Sequence, residues 1–425
     1  FLFIFYLFCS FNGVGFYNDD EHFQILEPVA YLLGINSNLI ENIFYWEWKP
    51  NIRIRPWFQP YLYYYIISFL KIISINDSFL WIKIIKLLSG LFGFLSTVYL
   101  FFSIKEYFKI NENNYHYLFI FSFWFYPFIH TRTSSESLSI IFFTFAFAFL
   151  LNAFTKNKYD KSNIFIFMFS LLLGLSIVVR PQMIFTIFPI FLWVIFFQFN
   201  FRKIFIVFVG CLLAIFFGLF IDYLHWGFYS NTYWQIFYIQ ILSGYMADFG
   251  KQPWWFYFYS LVLEFTPIYG TIFFVALITF WLKNLRSVFT WLTLGTIFSF
   301  IIFDHKELRF IFTILIFTPY FTIYFLENIN NQFIKKTLIT LCIISNFIFL
   351  SIFNFFPINS KVDLYNYLNS KNNTINDLYY FEENPYLINE MQPLFYTSNL
   401  PNIYEFNNQN NYDNKWITSN NYKFI

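Results

Sequence analysis

The stretch IFIVFVGCLLAIFFGLFI, residues 204–221, contains no charged or amide side chain. Arg202 and Lys203 precede the stretch and Asp222 follows it, so both of its ends are polar. A helix that crosses the hydrocarbon core of a bilayer needs roughly 20 apolar residues, and about 17 suffice when the flanks are polar. The stretch therefore predicts a membrane-spanning helix.

The composition of the whole chain is that of a membrane protein. Of its 425 residues, 58% are hydrophobic and only 12% carry a formal charge, and the mean hydropathy is +0.52. Soluble domains carry roughly 25% charged residues, so the composition excludes a soluble globular protein. The net charge of +2 indicates no nucleic-acid partner. The three cysteines lie inside apolar runs at unrelated spacings, which favours packing over a disulfide framework or a zinc site.

Ten further apolar stretches bring the predicted number of membrane-spanning helices to about eleven. The first stretch is short and lacks both a basic flank and a small-residue cleavage site, which favours a truncated first span over a signal peptide. Residues 61–74 are apolar but short, so we predict a helix that lies in the membrane interface or re-enters it. The predicted spans lie near residues 1–17, 87–104, 116–129, 138–153, 163–179, 183–199, 204–221, 257–282, 287–303, 310–325 and 337–356.

Basic residues mark one face of the predicted membrane protein. If the N-terminus is cytoplasmic, every second loop is basic, as is typical of cytoplasmic loops. The opposite loops contain mixed acids and bases, such as NDDEHFQ at 18–24 and DHKELRF at 304–310. We therefore expect the chemistry on the outer face, lumenal or periplasmic. The basic loops contain Lys105, Lys109, Lys156, Lys158, Lys161, Arg202, Lys203, Lys283, Arg286, Lys335 and Lys336.

Two outer regions accompany the spans on that face. The first outer loop runs from about residue 17 to residue 86 and contains the interfacial segment. Residues 357–425 form a polar, Asn-rich tail without a further span. Apolar residues within the tail, such as Leu378 and Phe395, favour a small folded region over a disordered one. We expect a transmembrane domain at 1–356 and an outer C-terminal region at 357–425.

Three acids, Asp19, Asp20 and Glu21, directly follow the first apolar stretch. Such acids are often only the solvated start of a loop, but a charge held near hydrocarbon is costly and usually functional. If a helix begins here, Asp20 and Gln24 lie one turn apart and face the same way. Asp20 is then a candidate general base toward a hydroxyl group, and Glu21 is the second candidate.

Tryptophan and charge alternate in the first outer loop, where Trp46, Glu47 and Trp48 precede Arg53 and Arg55. One interpretation is an aromatic belt at the membrane interface with cations that extend to water. The other is a platform that binds a sugar or a lipid headgroup, with arginine holding phosphate oxygens bidentately. Both interpretations remain open at this point.

The segment 304–310 contains the densest charge in the chain. Its opposite charges either neutralise each other or leave cations that stabilise an anionic leaving group such as a phosphate. His305 and Glu307 supply too few ligands for a metal site, so we predict none. The candidate phosphate-binding or sugar-binding residues on this face are His305, Lys306, Arg309, Arg180 and Arg132.

These motifs together resemble a known family. In chain order they are DDEHFQ, YWEW followed by an arginine, TRTSSES, RPQ, a stretch from Asp222 that ends in PWW, and HKELRF. The combination resembles the dolichyl-phosphate-mannose-dependent α-mannosyltransferases of the endoplasmic reticulum, glycosyltransferase family 22. Within that family it is most similar to the branch that adds the third mannose of the glycosylphosphatidylinositol (GPI) precursor by α-1,2 transfer.

The resemblance implies a GT-C fold and an inverting transfer of mannose from dolichyl-phosphate mannose to a lipid-linked glycan, without a metal or cofactor. It also implies a multi-pass protein of the endoplasmic reticulum membrane with a lumenal site, or a periplasmic site in a bacterial relative. In that reaction Asp20 would remove the acceptor proton. Lys306, Arg309 and Arg180 would stabilise the departing phosphate, and His305 would orient the phosphate or the sugar.

Other functions are weighed against this one. The N-glycan precursor or a bacterial glycolipid is an alternative acceptor, because Asp19 and Glu136 stand where the resembled family commonly has Pro and Asn. A transporter of a lipid-linked solute is an alternative of another class. Transporters place substrate-binding charges near the bilayer midplane, whereas the charges here gather at the outer ends of helices. A catalytically inactive family member is disfavoured by the intact Asp20 and HKELRF motifs.

Overall fold

The structure is a computed structural model, and it confirms the predicted helical architecture. It describes residues 2–13, 15–35, 47–49, 52–109, 114–155, 159–198, 200–355, 360–371, 377–380, 383–388, 391–405 and 423–424. The helices are α1 (Leu2–Asn12), α2 (Asp19–Glu21), α3 (Glu27–Leu32), α4 (Phe58–Ile72), α5 (Ser78–Phe108), α6 (Asn114–Phe121), α7 (Phe125–His130), α8 (Ser135–Thr155), α9 (Tyr159–Val179), α10 (Ile184–Phe197), α11 (Phe201–Trp226), α12 (Thr232–Phe237), α13 (Phe256–Leu263), α14 (Pro267–Lys283), α15 (Val288–Ile301), α16 (Phe312–Leu315), α17 (Thr318–Glu327), α18 (Gln332–Phe355), α19 (Ser360–Ser370) and α20 (Leu394–Thr397).

Short turns of other helical types connect several of these helices. π-Helical turns follow α2 at His22–Leu26 and α12 at Tyr238–Leu242. 3-10 turns lie at Pro181–Met183, Tyr245–Phe249 and Leu308–Ile311. Most of them belong to the segments predicted to carry chemistry.

Five described helices, α5, α8, α9, α11 and α18, are long and apolar enough to cross a membrane. Two bent pairs raise that number to as many as seven: α14 with α15, bent by 118°, and Leu308–Leu315 with α17, bent by 54°. The predicted count of about eleven is not confirmed, because several predicted spans form shorter helices. The predicted span 257–282, for example, is divided into α13 and α14, and Pro267 starts the second helix.

Helix α8 shows that the TRTSSES loop and the basic loop at Arg202 and Lys203 lie at opposite ends of the bundle. It begins at Ser135, within the TRTSSES motif, and ends at Thr155. Near its end, the ammonium group of Lys203 lies 5.7 Å from the ring centre of Phe154. A helix of 21 residues rises about 1.5 Å per residue and so spans about the thickness of a bilayer core.

Small residues allow the long helices to pack closely. Helix α8 packs against α5 and α9, and α9 packs against α11. A Cβ atom added at Gly210 would come within 2.9 Å of the Ser170 side chain, and one added at Gly93 within 2.6 Å of His130. Close approach at small residues is the usual packing mode of helices in lipid.

The described part of the chain contains two hydrophobic cores. The larger core lies among the bundle helices and is rich in phenylalanine. The second joins the first outer loop to the C-terminal region, and its buried members include Trp48, Trp57, Tyr365 and Phe395. The C-terminal region therefore packs directly on the segments that follow α1.

A small sheet in the C-terminal region departs from a purely helical fold. Strands β1 (Asp377–Tyr380), β2 (Asn402–Glu405) and β3 (Lys423–Phe424) form a parallel sheet in the order β2-β1-β3. Leu378 pairs with Ile403 in this sheet and is buried. Aromatic and β-branched residues at these positions favour strands, a local preference that the prediction from apolar runs did not include.

The predicted interfacial segment 61–74 lies mostly in α4, a helix of 15 residues. Tyr63, Ile67 and Leu70 are buried on one side, whereas Tyr65 and Phe69 are exposed on the other. The helix therefore has a protein-facing side and an apolar exposed side, the arrangement expected of a helix in contact with lipid.

Candidate active site

A cavity of about 260 Å³ lies at the end of the bundle where α8 begins. Its wall is built from the segment after α1, the loop before α4, the start of α8, the turn after α9 and the turn before α16. Its lining residues are Asp19, Asp20, Phe23, Gln24, Glu47, Trp48, Ile54, Arg55, Ser135, Glu136, Arg180, Gln182, Ile239, Tyr245, Phe249, His305, Glu307, Arg309, Phe310 and Met391.

Arg309 connects three carboxylates in this cavity. Its Nη1 atom lies 2.7 Å from Oδ2 of Asp20 and 3.6 Å from Oε1 of Glu136. Its Nε and Nη2 atoms donate to Glu307, the second at 3.0 Å. An arginine side chain stays protonated in proteins, so this guanidinium group is a positive charge among three carboxylates.

Asp20 is the most accessible of the three carboxylates around Arg309, with 38% of its side chain exposed. Asn18 caps α2 by accepting the Asp20 backbone N–H at 3.1 Å, which starts the helix at Asp19. Burial raises the pKa of Asp20, but the cations Arg309, Arg55 and Arg180 together lower it by more. The pKa of Asp20 therefore lies below its ordinary value. Asp20 is therefore an ionised acceptor at the cavity wall.

Glu136 and Arg180 form a second ion pair beside Arg309. Arg180 Nη1 contacts Glu136 Oε1, the same oxygen that faces Arg309. The two side chains are only 10% and 8% exposed. Burial lowers the pKa of Arg180, so the guanidinium group depends on nearby carboxylates for compensation.

Glu47 and Arg55 close the cavity on the side of the first outer loop. Arg55 donates from Nε to Glu47 Oε2 at 2.9 Å and from Nη2 to Oε1 at 2.6 Å, a bidentate pair. Trp48 lines the cavity beside them and is almost completely buried. The predicted platform therefore borders the cavity, although Glu47 already occupies the guanidinium fork of Arg55.

The HKELRF segment contributes His305, Glu307, Arg309 and Phe310 to the cavity wall. His305 Nε2 lies 2.8 Å from Glu307 Oε1. Lys306 instead donates through Nζ to the backbone carbonyls of Gln252, at 3.0 Å, and Phe303. Burial lowers the pKa of Lys306. The structure thus uses Lys306 to join two outer segments and does not place it in the cavity.

Glu21 points away from the cavity. Its carboxylate accepts hydrogen bonds from the backbone N–H groups of Tyr17, at 3.1 Å, and Thr133, at 2.9 Å, and from the Thr133 hydroxyl. Arg132 lies with Glu21 on a separate small cavity of about 20 Å³. These contacts give Glu21 a role in joining the segment after α1 to the TRTSSES segment.

Arg53, a residue of the predicted loop platform, does not line the cavity. The Arg53 guanidinium group lies 4.3 Å from the ring centre of Phe228 and 5.5 Å from that of Trp226. Trp46 lies outside the described residues. Of the predicted residues, those that line the cavity are Asp20, Gln24, Glu47, Trp48, Arg55, Arg180, His305 and Arg309.

The cavity also contains polar residues that the sequence analysis did not choose. Glu136 belongs to the TRTSSES motif and Gln182 to RPQ, so the motifs were recognised but the individual residues were not. Asp19 also lines the cavity. In the part of the chain that the structure describes, no group of three or more His, Cys, Asp or Glu side chains is arranged to hold a metal ion.

The bundle and its charged end define a multi-pass membrane protein with a polar cavity where helices end. The fold is similar to that of the crystal structure of ArnT from Cupriavidus metallidurans bound to undecaprenyl phosphate. The TM-score is 0.60 at 9% sequence identity, and the match covers 96% of this chain and 85% of that one. The chain thus has the GT-C fold of membrane glycosyltransferases.

Sequence comparison gives the family. Residues 1–389 match the Alg9-like mannosyltransferase family, so the chain belongs to that family. A search of curated proteins finds no significant match. Membership of this family makes the protein a glycosyltransferase.

Proposed function

We propose that the protein transfers mannose from dolichyl-phosphate mannose to a lipid-linked glycan, with inversion at the anomeric carbon. The observation that supports this most is the contact between Asp20 and Arg309 in one cavity, which places a candidate base beside a candidate phosphate ligand. The similar ArnT structure holds undecaprenyl phosphate, a lipid phosphate of the same chemical class as the proposed leaving group.

In the proposed reaction, Asp20 accepts the proton of the acceptor hydroxyl as that oxygen forms a bond to the anomeric carbon of mannose. The bond between the anomeric carbon and the phosphate oxygen breaks on the opposite face of the ring, and its electron pair leaves with dolichyl phosphate. Arg309 and Arg180 stabilise the charge that develops on the phosphate. His305, held by Glu307, orients the phosphate or the sugar.

The other cavity residues serve substrate binding in this proposal. Gln24 lies one turn beyond Asp20 and faces the acceptor, and Trp48 with the Arg55–Glu47 pair forms the wall on the other side. Lys306 acts indirectly, because its contacts to backbone carbonyls fix the segment that presents His305 and Arg309.

We further propose the third mannose of the GPI precursor as the product, formed at the lumenal face of the endoplasmic reticulum membrane. The support is the DDEHFQ and WEW pattern in the sequence, and the cavity lies at the end of the bundle opposite the basic loops. Lipid-linked donor and lipid-linked acceptor both suit a cavity at the outer ends of apolar helices.

The test is transfer of label from dolichyl-phosphate mannose in membranes that contain the protein. A labelled GPI intermediate with a third mannose supports the proposal. A labelled N-glycan precursor or a bacterial glycolipid assigns another acceptor. Movement of a lipid-linked solute across sealed vesicles without any new glycosidic bond would contradict transfer and support a transporter.

A further inference from the structure

One oxygen atom of Glu136 lies between the two arginines proposed to bind the donor phosphate. Glu136 Oε1 contacts Arg180 Nη1, and Arg309 Nη1 lies 3.6 Å from it. Glu136 sits in the first turn of α8, and Ser135 Oγ lies 3.4 Å from its second oxygen. The position of Oε1 therefore marks a point where a single anionic oxygen reaches both guanidinium groups.

Several other charged groups of the cavity are already paired with each other. Arg55 holds Glu47 bidentately, and Arg309 holds Asp20 and Glu307. The lining includes five carboxylates, those of Asp19, Asp20, Glu47, Glu136 and Glu307, against three arginines, Arg55, Arg180 and Arg309. A phosphate that enters this cavity meets an excess of negative charge, so it must take a cation away from a carboxylate.

We propose that Glu136 competes with the lipid phosphate for Arg180 and Arg309, and thereby weakens binding of the donor and promotes release of the lipid phosphate product. This inference rests on the proposed function, because it takes a lipid phosphate as the leaving group. Carboxylate and phosphate oxygens have the same preference for arginine. Glu136 contacts both of these guanidinium groups.

The competition predicts how substitutions at Glu136 change affinity. Glu136→Gln keeps the size of the side chain and an acceptor oxygen but removes the competing charge. A hydrogen bond to a charged group contributes about 1.5–3 kcal/mol, so the affinity for dolichyl phosphate should rise about tenfold to hundredfold. Glu136→Asp keeps the charge, but the side chain is one methylene group shorter, so the carboxylate lies further from the arginines. The affinity of this variant for dolichyl phosphate should lie between those of the wild type and Glu136→Gln.

The experiment measures binding of dolichyl phosphate, with dolichol as the uncharged probe, to the purified full chain in lipid nanodiscs. We expect affinity for dolichyl phosphate to increase from wild type to Glu136→Asp to Glu136→Gln, while affinity for dolichol does not change. Glu264→Gln is the matched control, because Glu264 is an exposed carboxylate bonded to the Tyr259 hydroxyl at 2.7 Å and lies outside the cavity. It should bind both probes as the wild type does.

Equal or weaker binding of dolichyl phosphate by Glu136→Gln would overturn the inference. If thermal unfolding shows that Glu136→Gln is not folded, Glu136→Asp tests the inference instead. That variant must still bind dolichyl phosphate more tightly than the wild type. The proposed function is tested separately by the wild type, which must bind dolichyl phosphate more tightly than dolichol. A wild type without that preference would contradict the proposed donor and with it the competition.

Discussion

Glu27 accepts a hydrogen bond at 3.0 Å from the backbone N–H of Phe395, which lies 368 residues further along the chain. The same oxygen, Oε1, lies 2.7 Å from Nε2 of His22, and both of these side chains are fully buried. His22 opens the π-helical turn that directly follows Asp20 and Glu21. This contact therefore joins the C-terminal region to the segment that carries the proposed base.

Loss of the Glu27 carboxylate should loosen the C-terminal region. Glu27→Ala leaves the Phe395 N–H and a His22 nitrogen without this partner, and each unpaired buried group costs about 1–3 kcal/mol, or about 2–6 kcal/mol for both. We expect a lower thermal unfolding temperature and faster hydrogen exchange at residues 391–397. Glu264→Ala, which removes an exposed carboxylate, should change neither measurement. Unchanged exchange in Glu27→Ala would show that the C-terminal region is held by its apolar contacts alone.

The pH dependence of transfer should depend on Arg309. Of the cations that lower the pKa of Asp20, Arg309 has the largest effect, whereas burial raises that pKa. In the wild type, the pKa of Asp20 lies below its ordinary value of 3.8, so the acid limb that Asp20 produces is centred below that pH. In Arg309→Gln the effect of burial prevails, the pKa of Asp20 rises, and activity should begin to fall at a higher pH.

The measurement is kcat/KM for the donor between about pH 4 and pH 8, which reports the pKa values of essential groups in the free enzyme. Arg309→Lys is the matched control because it keeps the positive charge while losing the bidentate contact with Glu307. It should lower activity with a smaller shift of the acid limb. Identical acid limbs in both variants would argue against Asp20 as the titrating base.

The contact between Asp20 and Arg309 was predictable in part from sequence. The alternation of basic and mixed-charge loops placed both residues on one face, and the structure brings them within 2.7 Å. The directions of individual side chains were not predictable in this way. Glu307 has an extended backbone, with φ of −134° and ψ of 147°, and side chains alternate along extended backbone. Glu307 therefore faces the cavity while Lys306 before it does not, and Arg309 reaches the cavity from the 3-10 turn that follows.

The number of spans and the role of Glu136 show two further limits of prediction from sequence. Apolar length does not report breaks, so the division of the predicted span 257–282 into α13 and α14 could not be predicted from hydropathy. Glu136 could be assigned to an outer loop, but its contact with Arg180 depends on how the start of α8 packs against the turn after α9. Tertiary contacts of this kind leave no periodic pattern in the sequence.

Asp222 should stabilise the loop that carries Arg55. It is fully buried near the end of α11, where it accepts the Trp57 backbone N–H and the Thr232 hydroxyl, each at 2.9 Å. Asp222→Ala leaves the buried Trp57 N–H without this partner, while the Thr232 hydroxyl keeps its contact with the Ser230 hydroxyl at 2.8 Å, so the protein should be destabilised by about 1–3 kcal/mol. Because Trp57 follows Arg55 closely, the donor KM should also rise. Asp222→Asn, which can still accept the Trp57 N–H, should lose much less in thermal unfolding and in KM; equal losses in both variants would contradict this account.

The strictest test of the proposed base is Asp20→Asn, which keeps the shape of the side chain and removes its ability to accept a proton. General base catalysis contributes about 10²–10⁴-fold, so kcat should fall by about that factor, while dolichyl phosphate still binds. Asp363→Asn, a change at an exposed acid on α19 outside the cavity, should leave transfer unchanged. Near-normal kcat in Asp20→Asn would show that another group removes the acceptor proton. Retained binding with lost turnover would instead separate the role of the base from that of Arg309 and Arg180, which stabilise the charge on the phosphate in this mechanism.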